Sequence, residues 1–218
     1  MILHRDERCV VVHKPSGLST HRGWDDSDDA LLQRVRDEVD AYVYPIHRID
    51  RGASGIVLFA LDKEAARYFT DAWMAHSADK RYLAITRGHP PEHTLLDHPI
   101  PKAPGEDRVD ARTEIWLRET FGRYALVEAR PHTGRLHQIR RHLKHMSCPL
   151  IGDVRYGKGE HNRLFRTQHD LHRLALHATK LSVPHPDGST LVVECPLADD
   201  MAAAVASCRA AYGVRPPD

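Results

Sequence analysis

Six consecutive apolar residues, Ile56 to Leu61, stand between Gly55 and Asp62. A run this short and this continuous reads as a strand covered on both faces, because a strand with one wet face alternates polar and apolar residues. Just ahead of it, in His47-Arg48-Ile49-Asp50-Arg51-Gly52, a carboxylate sits at the mouth of the strand. A charged Asp there is costly to desolvate unless a cation or hydrogen-bond donors meet it. For an isolated Asp-Arg-Gly the plain alternative is a turn or capping Asp.

A second segment supplies the cation. From Arg130 to Ser147 the chain carries Arg130, Arg135, Arg140, Arg141 and Lys144, four histidines and no acid. The whole chain of 218 residues is nearly neutral, at +1 with 31 basic and 30 acidic residues, so this basic charge is local. The opposite sign gathers elsewhere: seven of the sixteen residues from Asp25 to Asp40 are acidic. Such asymmetry, more than net charge, marks a polyanionic partner. Leu136, Ile139 and Leu143 recur at helical spacing, and His132-Thr133-Gly134 reads as the helix start. Arg135, Gln138, Arg141, His142 and His145 are then expected to project away from the packed side. The amino end of that helix offers donors for a phosphate. A solvated basic helix is the bland alternative.

Elsewhere the composition narrows the class. No apolar run approaches the length of a membrane span, and the polar start His4-Arg5-Asp6-Glu7-Arg8 lacks a signal-peptide pattern. Cys9, Cys148, Cys195 and Cys208 form no CxxC pair and read as reduced thiols of a cytoplasmic protein. Seventeen histidines invite a metal, with His137, His142 and His145 clustering on the basic helix. The intervening arginines repel a divalent cation, so no metal is expected there.

Strands are expected near Cys9–His13, Arg81–Arg87, Arg112–Leu117, Tyr124–Ala129, Ala175–Val183 and Thr190–Glu194. Helices are expected over Ala30–Val39, Asp62–Met74 and 199–210. Residues 88–110 and 152–166 read as loops, and 213–218 as a frayed tail. This order indicates an α+β protein: one catalytic domain over residues 1–218, with a long mixed or antiparallel sheet, flanking helices and a central cleft.

His47-Arg48-Ile49-Asp50-Arg51-Gly52-Ala53-Ser54-Gly55 resembles the HRLDxxTSG motif of the RluA family of pseudouridine synthases. Further matches follow in the family's order. Lys14-Pro15-Ser16-Gly17-Leu18 resembles its opening turn, and Lys80-Arg81-Tyr82-Leu83-Ala84 its KxYxA strand. Arg130 to His142 resembles its TGRxHQIRxH segment, and Pro149 to Asp153 its PixGD turn. The resemblance spans residues 8–195, and the pattern from His142 to Asn162 is closest to the transfer-RNA (TruC-type) branch. It implies a pseudouridine-synthase fold, no cofactor, no separate amino-terminal RNA-binding domain, and an RNA substrate. Transfer RNA is favoured and ribosomal RNA is the alternative. Nothing in the motifs requires a partner chain, so a monomer is expected.

The resemblance also assigns roles. Asp50 is the catalytic carboxylate, acting as nucleophile at sugar or ring or as base toward the sugar's C2 proton. Arg140 keeps it ionised and oriented. Tyr82 stacks the uracil and brings its hydroxyl near the C5 proton. Arg48 fills the space of the extruded base, with a phosphate contact as its alternative. Lys14, Arg135, Arg141 and Lys144 are candidate phosphate contacts, and His137 and Gln138 complete the substrate-binding set. His47 shapes the loop. Ala53 replaces the family's Thr and Ile49 its commoner Leu, and neither change removes a reacting group. The rival classes are a non-catalytic RNA-binding protein and a hydrolase or nuclease using Asp50 with a histidine.

Overall fold

A computed structural model describes residues 1–20, 30–103 and 105–215. The elements run β1 (Ile2–Arg5), β2 (Cys9–Lys14), α1 (Leu31–Val39), β3 (Tyr44–Pro45), β4 (Ser54–Ala60), α2 (Lys63–Met74), β5 (Asp79–Arg87) and β6 (His93–Asp97). There follow β7 (Ile100–Pro101), β8 (Arg108–Val109), β9 (Arg112–Phe121), β10 (Tyr124–Pro131), α3 (Gln138–His145), α4 (Gly159–Gln168), β11 (Leu176–Pro184), β12 (Thr190–Glu194) and α5 (Asp199–Tyr212). The chain divides into two compact units, Met1–Lys80 with Ala178–Pro196, and Arg81–His177 with Leu197–Asp218. The α+β expectation holds in each: a sheet flanked by helices.

In the first unit the strand order is β1-β2-β4-β11, with β3 on β4 and β12 on β11. The pairs β1/β2, β2/β4, β3/β4 and β11/β12 are antiparallel. Every residue of β4 is buried, as the uninterrupted apolar run requires. Helix α2 packs on β4 and buries Ala65 and Phe69. It starts where the sequence places it because the Asp62 side chain caps it, accepting from the Ala65 N–H at 2.8 Å. Gly55 opens β4 at φ +113°, where a Cβ would meet the backbone of Ala178 in β11. Glycine is needed there for the approach of two main chains as well as for its dihedral.

In the second unit the order is β5-β10-β9-β6. Ile85, Phe121, Tyr124, Leu126, Phe165, Met201 and Val205 share one core. Helix α5 is alanine-rich, with Asp199 and Asp200 in its first turn and Arg209 in its last, charges placed to suit the helix dipole.

Three expectations need correction. The loop expected over residues 88–110 contains strand β6, paired along β9 from His93↔Trp116 to Asp97↔Arg112. The loop expected over 152–166 contains α4, whose apolar Phe165 is buried in the core. The tail returns to the sheet, where Arg215 and Thr120 exchange two backbone hydrogen bonds of 3.0 Å. Asp25, Asp26, Asp28 and Asp29 of the acidic cluster and the last three residues lie outside the described residues.

Gly55→Ala is expected to cost on the order of 3 kcal/mol or more, since both dihedral and main-chain packing oppose it. Gly213→Ala, at φ +72° and ψ 165° with open space around the new methyl, is expected to cost about 1–3 kcal/mol, from the dihedral alone. Urea unfolding of the two variants measures the difference.

Candidate active site

Asp50 lies in the segment between β3 and β4, half-buried, with its carbonyl accepting from the Ala53 N–H at 3.0 Å. Lys14, the last residue of β2, is fully buried and its ammonium points into backbone carbonyls. Nζ donates to the oxygens of Pro15 at 2.9 Å, Leu18 at 2.7 Å and Arg51 at 3.1 Å. Around it, Gly17 N–H donates to Arg51 O at 2.8 Å, Arg51 Nε to Gly17 O at 2.9 Å, and Ser16 Oγ to Gly52 O at 2.7 Å. The 15–18 turn and the Asp50 loop are therefore laced together through a withdrawn charge. This corrects the expectation of a phosphate contact for Lys14: its charge is enclosed by carbonyls, the acceptors a desolvated ammonium requires.

His47 fixes the other end of the loop, as expected. Its Nε2 accepts from the Leu58 N–H of β4 at 3.1 Å, and its ring stacks on Trp73 at 4.2 Å and 12°. Lys80 Nζ lies 4.8 Å from the centre of the same indole. Burial, helped by the Lys80 charge, pushes the imidazole down to about 3. His47 is neutral at any physiological pH and is a fastener. Next to it Arg48 is exposed and Ile49 is buried, so the loop presents the guanidinium outward.

In the second unit Tyr82 stands half-exposed in β5, opposite Ala129 of β10. Arg140 is on α3 and is mostly buried. Its Nε donates to Asp153 Oδ2 at 2.7 Å and its Nη2 to Asp153 Oδ1 at 2.9 Å, a bidentate pair. The Tyr156 ring lies 5.2 Å from the guanidinium carbon. Asp153 also accepts from the N–H groups of Arg155 at 2.9 Å and Tyr156 at 3.0 Å. Burial acts to raise the Asp153 carboxyl, but Arg140 and these donors outweigh it and hold it below the usual range. Asn162 of α4 braces the turn, accepting from Gly152 N–H at 2.8 Å and donating to Asp153 O at 3.0 Å. Within its own unit, then, Arg140 has a carboxylate whose role the motifs do not announce. The sequence signal is an Asp directly after the apolar Leu150-Ile151 and a glycine.

Helix α3 begins at Gln138, with His137 at its N-cap in the left-handed region, and Leu136 is exposed. The expected apolar stripe therefore loses its first member. Gln138 is buried and corrects its assignment to substrate. Its Oε1 accepts from Thr133 Oγ1 at 2.6 Å and Arg135 N–H at 3.1 Å, and its Nε2 donates to Arg112 O and Thr113 Oγ1, each at 2.9 Å. His142, expected to project outward, is buried between Thr113 Oγ1 at 2.8 Å and His98 O at 3.0 Å. Tyr156 Oη is 3.2 Å from His137 Nδ1 and accepts from Arg141 Nε at 3.0 Å. Arg135 and Lys144 are exposed, with Arg135 Nε donating to Asp110 O at 3.1 Å.

The family model described as RNA pseudouridylate synthase matches residues 8–145. The chain is 36% identical over 208 residues to tRNA pseudouridine synthase C of Vibrio parahaemolyticus, covering 85% of each chain. It is 36% identical over 217 residues to the protein of that name from Pasteurella multocida, covering 89% of each. Among solved structures, Human RNA Pseudouridylate Synthase Domain Containing 4 is similar with a TM-score of 0.80 and 26% identity, over 100% of this chain and 94% of that chain.

Lys14→Met is expected to lower stability by roughly 2–4 kcal/mol, because several carbonyls lose a charged donor. It should leave the salt dependence of RNA binding unchanged, whereas losing a phosphate contact would reduce the log–log slope by about 0.7–0.9. His47 gives a pH signature. Its pKa is 6.5 in the unfolded chain and about 3 when folded, so the unfolded chain binds the extra proton between those values and stability falls as pH drops. The expected loss is about 2 kcal/mol between pH 8 and pH 5. Urea midpoints of the parent and His47→Gln across that range should show the slope reduced in the variant.

Proposed function

Since the chain belongs to the RNA pseudouridylate synthase family, we propose that it isomerises one uridine of a transfer RNA to pseudouridine, with Asp50, Tyr82 and Arg140 at the reacting nucleoside. The observation that carries the transfer-RNA reading is the 36% identity to tRNA pseudouridine synthase C over 85% of each chain. The reaction breaks the bond from the sugar carbon to uracil N1 and forms one to uracil C5. The proton on C5 leaves and N1 regains one, so the mass of the RNA does not change.

On this reading the ionised Asp50 carboxylate acts on the nucleoside as nucleophile or base. Arg140 orients it, and the bidentate grip of Asp153 on the Nε–Nη2 edge supports that role by removing rotational freedom from the guanidinium. The Tyr82 ring takes the uracil face, and its hydroxyl lies near the departing C5 proton. Arg48 takes the space of the extruded base, and its exposure beside buried Ile49 supports this. Arg135, Arg141 and Lys144 contact phosphates, and His137 lines the approach. The two units work as one catalytic domain, as a single chain in the cytoplasm, and neither metal nor cofactor enters the chemistry. Among the described residues no helix is long and apolar enough to cross a membrane.

Asp50→Asn is expected to reduce isomerisation by at least about 10⁴-fold while RNA binding is retained. Carbodiimide-dependent reverse-transcription stops, in cells carrying the parent, the variant or neither, give the readout. Stops in transfer RNA that need Asp50 support the reading. Stops confined to ribosomal RNA would move the substrate, and stops that survive Asp50→Asn would refute the catalytic assignment.

A further inference from the structure

The turn between β1 and β2 and the turn between β11 and β12 bring together four side chains that pseudouridine formation does not use. Asp6 is the hinge of the first turn: its Oδ1 accepts from the N–H groups of Arg8 at 2.7 Å and Cys9 at 2.8 Å. Its Oδ2 is turned the other way. Around that one oxygen stand His4 Nε2 at 2.7 Å, Cys9 Sγ at 3.4 Å and His185 Nε2 at 3.3 Å. The ligand atoms of His4, Asp6 and Cys9 all lie within 4.8 Å of one another.

His185 supplies the independent observation. Its side chain is 9% exposed and comes from the other turn, with its ring against Phe69 of α2 at 5.8 Å. Its Nδ1 is 2.9 Å from Asp187 Oδ1, close enough to place the ring proton on Nδ1; the Asp187 N–H at 3.4 Å is a weaker neighbour. Nε2 then carries a lone pair, is buried, and makes no hydrogen bond although a carboxylate oxygen lies 3.3 Å away. Two acceptors facing each other at that distance lack a cation. A ring nitrogen on one side and a carboxylate on the other nitrogen is also the arrangement that orients metal-bound imidazole.

We propose that His4 Nε2, Asp6 Oδ2, Cys9 Sγ and His185 Nε2 bind one divalent transition-metal ion of the zinc class, clasping the β1–β2 turn to the β11–β12 turn. The spacing fits. Bonds of about 2.0 Å to nitrogen and oxygen and 2.3 Å to sulfur put tetrahedral neighbours roughly 3.3 Å apart for N···O and 3.5 Å for S···O. His185 and Cys9 already stand at those separations from Asp6. His4 is closer, at a hydrogen-bonding distance, and its half-exposed side chain has room to swing outward. With neutral imidazoles, a carboxylate and a thiolate, the charges sum to zero around a 2+ ion. Burial and the Asp6 carboxylate keep the Cys9 thiol protonated without metal, so binding releases one proton and strengthens with rising pH. Arg8 of the same turn is occupied by Asp62 at 3.3 Å and Glu64 at 2.9 Å.

Tag-free full-length protein, stripped with chelator and kept reduced, is titrated with Co²⁺. One equivalent should give the visible bands of a tetrahedral site and a near-ultraviolet thiolate charge-transfer band. Cys9→Ser should lose the charge-transfer band, and Asp187→Asn should weaken binding about 10- to 100-fold through its effect on His185. Zn²⁺ should displace Co²⁺ and raise the melting temperature of the parent but not of His185→Gln. No saturable binding, or a charge-transfer band that persists in Cys9→Ser, would overturn the proposal.

Discussion

A positive charge sealed from water organises the loop that carries Asp50. The Lys14 ammonium sits among the carbonyls of Pro15, Leu18 and Arg51, in two segments that Ser16, Gly17 and Arg51 also lace together. The three carbonyl bonds hold only while those oxygens stay oriented toward the ammonium. That demand fixes the main chain just after Asp50. His47 repeats the strategy with an uncharged ring: burial keeps it neutral, and it holds the loop to β4 through one N–H and a stack on Trp73. Both fasteners act on the backbone of the Asp50 loop, through Arg51 and His47.

Arg140 presents the same problem with a different solution. A guanidinium buried on a short helix would be unfavourable alone, and Asp153 compensates it edge to edge. Asp153 in turn is held by two backbone N–H groups, and its turn by Asn162 and by the close fit of Gly152 against Arg173. Helix α4 thus reaches the guanidinium through a chain of hydrogen bonds, and its Phe165 anchors that chain in the core. The pair orients Arg140 more than it stabilises the fold, since two apolar residues would pack there at lower desolvation cost.

Where local pattern and burial coincide, the sequence is a sufficient guide. Strand β4 was legible from its uninterrupted apolar run, α2 from Asp62 and its periodic face, and the family from ordered motifs. Strand β6 and α4 were not legible for a shared reason. His93–Asp97 is an edge strand with alternate residues exposed, and α4 is polar with a glycine and an asparagine, so tertiary pairing decides both. The fates of Lys14 and Gln138 were hidden for another reason. Residue type states that a side chain carries charge or amide groups, but only the fold states whether the acceptor is a carbonyl or a phosphate.

That distinction changes how the basic segment is understood. Counterions are released from RNA only by cations that reach its backbone, and a count of arginines and lysines in the motifs overstates their number. Lys14 is spent on carbonyls, Arg140 on Asp153, and Arg141 in part on Tyr156 and the Pro101 carbonyl. Arg48, Arg135 and Lys144 remain on the surface. The buried cations give geometry that does not vary with salt, and the exposed ones give attraction that does. An enzyme acting on a polyanion benefits from keeping the two apart: counterions that weaken RNA binding then leave the orientation of Asp50 and Arg140 unchanged. On this argument the motifs encode the rigidity of the reacting groups, and grip on the RNA comes from a smaller set of arginines and lysines around them.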